Sequence, residues 1–440
     1  MNAKASVTSL KCKKTNIKED GKMVKMASKL IFGPGRTDLR EDINIPRMRE
    51  ERAARMRAIL KREGIPSLLV TYEPNVRYLT GFSWAEFMSF LSYALFFAEH
   101  DPVIFAHAGS YHQMPDQMPW IKHWRIGRSW LVEICGPEAT REEVGLFARE
   151  IREELKNRGL DKEKLGIIGF DEVAREGLRR TGLTLVEAWP LLLEANKIKT
   201  QDEINCFKMV ASFLSSGWQR VIEACNIGMT VATLRRTVMD AIADAGAEIA
   251  RCNIQSGPLS FERGVTYLDR RIEYGDMLHV PLCGTKYMGY PACGYRTFVV
   301  GREPTAKEKE WYKRVKDSVD AAIDATRVGN TTADAAKAFP PASKWGYKDE
   351  AEVLTVEIGH GLGMPVLSPC FVSYGIPNIN RQWSLKYPQP FEKGMVMAYE
   401  SLEGEHRVCG VRLENMVVVT DDGCEILDHF PRDEIKVVGV

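Results

Sequence analysis

Between Arg47 and Trp189, apolar runs of strand length alternate with charged stretches of helical periodicity. That alternation confines this part of the chain to an α/β architecture. The run RMREERAARMRAILKREG spaces Met48, Ala53, Met56, Ile59 and Leu60 as one helix face and stops at Gly64. SLLVTY then reads as a buried strand, broken by Pro74 and Asn75. LSYALFFAEH, a turn at Asp101 and Pro102, VIFAHA, a helix over about 141–158, LGIIGF and LTLVEAW continue the pattern. At the junction EANKIKTQDEI, Thr200 followed by Glu203 has the capping-box spacing that starts a helix. Helices are predicted near 201–226, 231–247 and, as a pair, 305–340, with strands from about Met277 and again to the C-terminus. The expected fold class is α/β (α+β) in two domains: a flexible arm over 1–44, an α/β domain over 45–199 and a strand-rich domain over 200–440.

A balance of 60 Lys+Arg against 59 Asp+Glu offers no field to gather nucleic acid or an anionic membrane. No apolar stretch approaches bilayer length, and the basic N-terminus lacks the apolar block of a secretory signal. The expected setting is cytoplasmic and the expected partner a small-molecule substrate, with no nucleic acid and no membrane. Ten scattered cysteines lack the spacing of a disulfide framework and read as free thiols.

Four stretches of the second half put polar residues in apolar settings. YGDMLHVPLCGTKYMGYPACGYRTFVVG, residues 274–301, has the alternation of a β-hairpin. EIGHGLGM surrounds His360 with Gly359, Gly361 and Gly363, read as a sharp turn that brings the imidazole to a cavity wall. KGMVMAYESLEGE carries Glu400, and GVRLENMVVVTDDG carries Glu414. In that order these stretches resemble the catalytic half of the creatinase, prolidase and methionine aminopeptidase superfamily, whose fold is called pita-bread. YEPNVRYLTGF, KIKTQDEI and the GMT at 228–230 extend the resemblance to roughly residues 45–440.

The resemblance implies a creatinase-like N-terminal domain, a homodimer and, in the metalloenzymes of the superfamily, two metal ions held by two hairpin Asp, one His and two Glu. Here His360, Glu400 and Glu414 stand at the His and Glu positions, whereas Pro281 and Cys293 stand at the Asp positions. Two branches with altered sites look nearest. Creatinase is metal-free, but Gly264 stands where it has its catalytic histidine. The pita-bread dimethylsulfoniopropionate lyase is similar in IPRMREER and SGP, with Pro281, Cys283 and Cys293 at its three hairpin Asp positions.

With the Asp half lost, the expectation is a metal-independent small-molecule hydrolase of creatinase type, cleaving a C–N bond of an amide or amidine. The catalytic residues are His360, Glu400 and Glu414, with one Glu raised in pKa to donate a proton. The alternatives are a lyase performing β-elimination and a non-catalytic binding protein. Cys283, Cys293, Tyr295, Arg296 and Trp84 are the candidate substrate-binding residues, Trp84 belonging to an aromatic cluster with Tyr72, Tyr78, Phe82 and Phe87 that can cage a cation. No cofactor is expected; a soft metal held by Cys283, Cys293 and His360 is the less favoured reading.

Overall fold

The computed structural model describes residues 18–19, 22–23, 43–84, 92–112, 114–262, 266–353, 358–366 and 374–439. The arm expected over 1–44 falls almost wholly outside them, as do Phe87 and Gly264. Two sheets organise the rest. The first is six-stranded, in the order His123–Ile126, Val103–Ala106, Tyr93–Phe97, Ser67–Thr71, Lys164–Ile168, Thr184–Glu187. Its central strands are buried on both faces, which is why they read as unbroken apolar runs. Alternate residues serve separate cores. Leu68, Val70, Ala94 and Phe96 pack with the helix Ile45–Glu63 through Met48, Met56 and Leu60. Leu69, Tyr93, Leu95 and Phe97 pack with Phe147, Ile151 and Leu155 of the helix Val132–Lys156.

That second helix begins earlier than its periodicity suggests, because the chain is already helical before a kink at Gly136, whose φ is 77°. EPNVRYLT, read only as a strand breaker, is itself a helix over Glu73–Thr80, with Pro74 in its first turn, where a missing N–H costs nothing. The helix Gln201–Ala224 starts at the predicted capping box: Thr200 Oγ accepts from Glu203 N, and the Glu203 carboxylate accepts from Thr200 N.

Among the described residues the second sheet has nine strands. Its main path runs Tyr374–Ile379, Gly359–Leu362, Val396–Glu405, Cys409–Val419, Tyr295–Val300, Met277–Pro281, Gln255–Ser256. The long pair Val396–Glu405 and Cys409–Val419 is antiparallel in continuous register. The predicted hairpin forms by pairing Met277–Pro281 with Tyr295–Val300. Helices Ala306–Ala325 and Thr332–Lys337 cover one side through Val319, Ala322 and Ala335 against Met397, Tyr399 and Val417. No helix among the described residues is long and apolar enough to cross a membrane.

Candidate active site

The EIGHGLGM segment is not the sharp turn its glycines suggest. Gly359–Leu362 is a strand, with a bulge between His360 and Gly361. The glycines serve close approach: a Cβ on Gly359 would lie 2.8 Å from the Tyr399 ring, and one on Gly361 2.7 Å from the Ile376 carbonyl oxygen. Only a strand without side chains at these points can pass between its neighbours, and the bulge aims the one large side chain between them.

Strand register then assembles the site, because directly paired residues share a sheet face. Pro281 pairs with Tyr295, Tyr295 with Glu414 and Glu414 with Glu400, giving one row across four strands. One step along, His360 pairs with Ala398 and Ala398 with Met416, so His360 projects on the same side as the two Glu. His360 Nε2 lies 3.7 Å from Glu414 Oε1. Its Nδ1 is 3.1 Å from the Gly361 carbonyl oxygen, which can only accept, so Nδ1 carries a proton.

The hairpin residues join this group. Cys283 Sγ donates to Glu414 Oε2 over 3.4 Å, and the Cys283 and Cys293 sulfurs are 2.9 Å apart. His360, Glu400, Glu414 and Cys293 are all buried. Burial raises the Glu414 carboxyl above the usual carboxylate range; His360 opposes this and the Glu400 charge adds to it. Burial also pushes the Cys283 thiol up to about 11, and pushes Cys293 and Tyr295 well above their ordinary values. A cavity of about 530 Å³ opens onto Glu400, with Trp345, Tyr347, Glu403, His406 and Arg412 in its walls.

Two expected substrate contacts lie elsewhere. Arg296 alternates to the opposite side of its strand from Tyr295. There it pairs with buried Asp428, donates to the Glu414 carbonyl over 2.9 Å and stacks on Trp218 with its guanidinium carbon 4.3 Å from the ring centroid. It braces the strand rather than facing the site. Trp84 packs against Phe82, with ring centroids 4.8 Å apart, beside the first sheet. Tyr78 and Phe82 of the same aromatic cluster are fully buried core residues.

His279 joins this face from outside the candidate residues expected from the sequence. It stands two residues before Pro281 on the same strand face, is buried, and meets the Tyr295 ring edge-on at 4.8 Å. Strand alternation from Pro281 is the signal that would have found it.

Comparison with known proteins agrees with this architecture. Residues 205–421 match the metallopeptidase family M24, and residues 52–178 match the creatinase/prolidase N-terminal domain. The chain belongs to the creatinase/prolidase pita-bread superfamily. A probable dipeptidase, PepE, of Mycobacterium tuberculosis is 26% identical over 258 residues, 58% of this chain; the chain spans 65% of that relative's length. An uncharacterized peptidase, YqhT, of Bacillus subtilis is 24% identical over 393 residues, covering 87% of this chain and 98% of the relative. The crystal structure of a prolidase from Thermococcus sibiricus superimposes with a TM-score of 0.71 at 23% identity, covering 89% of this chain and 99% of that one.

These findings correct two expectations. A metal-independent hydrolase of non-peptide C–N bonds is overturned, because the matching family is one of metallopeptidases and the relatives are named as peptidases. For the same reason the β-elimination alternative finds no support, and the expectation of no cofactor is withdrawn. Loss of the hairpin carboxylates does not by itself entail loss of metal chemistry.

The dinuclear centre that the superfamily implies does not fit the residues present. Two bridged hard cations need the hairpin carboxylates, and at those places stand Pro281, which offers no donor side chain, and the Cys293 sulfur. Among the described residues the metal-ligating groups that converge are two sulfurs and one carboxylate, those of Cys283, Cys293 and Glu414.

Proposed function

We propose that this chain is a hydrolase of short peptides, working at the row formed by Glu400, Glu414 and His360. One observation carries the reading: a buried cross-strand pair of carboxylates, Glu400 and Glu414, with an imidazole beside it, opens through Glu400 onto a cavity of about 530 Å³. That volume suits a dipeptide-sized ligand. The names of the peptidase relatives support the substrate class.

Glu400 borders the cavity, so it is the group placed to take a proton from an attacking water. The same proton then goes to the amine nitrogen as the C–N bond breaks, leaving an amine and a carboxylic acid, whose remaining proton passes to the amine to give ammonium and carboxylate. His360 sits deeper, beside Glu414, and holds the polar end of the scissile amide. Tyr295, paired with Glu414, lines the same row. We include in the proposal the homodimer that the resemblance implies, which light scattering on the purified protein checks.

The test is release of free amine from a panel of dipeptides, Xaa-Pro sequences among them. Glu400→Gln is expected to lower turnover by about 10²–10⁴-fold, the range for a positioned acid–base group, with unchanged circular dichroism. A panel on which the wild-type protein and Glu400→Gln are equally inert or equally active rejects the reading.

A further inference from the structure

The hairpin sulfurs remain without a role in the hydrolytic reading. Cys283 lies just after the strand Met277–Pro281, and Cys293 just before Tyr295–Val300. The ladder between them is closed by Leu282 N donating to the Gly294 carbonyl over 3.0 Å, so the hairpin itself holds the two cysteines opposite one another. Each then meets the Glu414 strand: Cys283 Sγ through the Glu414 carboxylate, and Cys293 through its backbone N–H, 3.3 Å from Met416 Sδ.

Small buried residues that merely filled space would leave no polar atom unserved. Here one is left. Glu414 is fully buried, yet Oε1 makes no hydrogen bond among the described residues. With His360 Nε2 3.7 Å from that oxygen, the buried carboxylate is weakly served, and a cation would lower the cost of burying it. The ligand atoms of Cys283, Cys293 and Glu414 lie within 4.8 Å of one another.

We propose that Cys283, Cys293 and Glu414 bind one soft divalent cation of the zinc class, a single thiolate-rich centre standing where the superfamily holds two metals on carboxylates. The donor chemistry decides the class: two sulfurs select a borderline-soft ion over manganese or magnesium. Three protein ligands leave one position of a tetrahedron open, as in catalytic rather than structural zinc sites. His360 borders Glu414 Oε1, whereas Cys283 meets Oε2, and Glu400 is the cross-strand neighbour of Glu414. The sulfurs at 2.9 Å must spread by about 0.8 Å to take ligand positions around an ion with Zn–S distances near 2.3 Å. Cys283 is half-buried and Cys293 buried, so Cys283 is the less confined of the two.

A catalytic role for the cation rests on the hydrolase reading; its binding does not. The test uses the full chain, kept reduced, stripped with chelator and titrated with Co²⁺ and with Zn²⁺. The expected result is one equivalent bound, with a thiolate-to-cobalt charge-transfer band in the near ultraviolet that Zn²⁺ abolishes. Cys283→Ser and Cys293→Ser should each lose the band and weaken Zn²⁺ binding by more than the ~10–100-fold that loss of an outer partner costs. If either variant misfolds, X-ray absorption on the zinc-loaded wild-type protein reads the two sulfur ligands directly. Absence of sulfur ligation, or preferential uptake of two Mn²⁺, overturns the proposal. A thiolate-bound ion in a protein that cleaves no dipeptide upholds this site while rejecting the peptidase reading.

Discussion

Both sheets bury their central strands but fill them differently. In the six-stranded sheet the buried strand residues are apolar apart from Ser67 and Thr71, at the two ends of one strand. In the nine-stranded sheet His279, Arg296, Thr297, His360, Glu400, Arg412, Glu414 and Asn415 are all buried within strands. Polar and charged groups cost free energy to bury, so a sheet that retains so many is shaped by something other than stability. The first sheet is scaffold; the second carries the chemistry.

The largest stability effect should come from breaking the second sheet's own support. Arg296→Leu leaves Asp428 buried without its cation and is expected to cost about 3–5 kcal/mol in chemical denaturation. Leu95→Ala, in the first sheet, should cost about 2–5 kcal/mol by opening a cavity. The two differ in a second measurement. Arg296 braces the strand bearing Tyr295 and the Glu414 backbone, so Arg296→Leu should also lower turnover per folded molecule, whereas Leu95→Ala should leave it unchanged. Equal loss of turnover in both would erase the contrast between scaffold and site.

A smaller effect lies at the junction. Lys199 is buried, donates to the carbonyls of Asn196 and Lys197, and is pushed by burial from 10.5 down to about 7. Between those values the unfolded chain holds a proton that the folded chain does not, so stability should rise with pH from about 7 toward about 10.5. The slope is about 1.4 kcal/mol per pH unit inside that window. Denaturation midpoints at pH 8 and pH 9 check it, and Lys199→Met should flatten the dependence.

Much of this was legible in the sequence where a local rule governs. The first helix, the capping box at Thr200 and the hairpin follow from periodicity, caps and alternation, and the structure has them. His360, Glu400 and Glu414 do meet, because motif order encoded the register of three neighbouring strands. What failed needed long-range information. Arg296 adjoins Tyr295 in sequence yet faces the other way, and only the position of Asp428, 132 residues on, shows what it serves. The glycines around His360 were read as a turn because their reason, the Tyr399 ring and the Ile376 carbonyl, comes from other strands. On function, missing Asp residues favour a metal-free site only if the sulfur donors Cys283 and Cys293 of the same hairpin are given less weight than the metallopeptidase match warrants.

The central claim is that short peptides are cleaved on the polar face of the second sheet, and a crystal structure with a non-hydrolysable dipeptide analogue tests it most directly. The account predicts the group replacing the scissile amide within hydrogen-bond reach of Glu400 and beside His360 and Glu414, the rest of the analogue lying in the cavity toward Trp345 and Arg412. An analogue seated away from Glu400, with that cavity left to solvent, would contradict it.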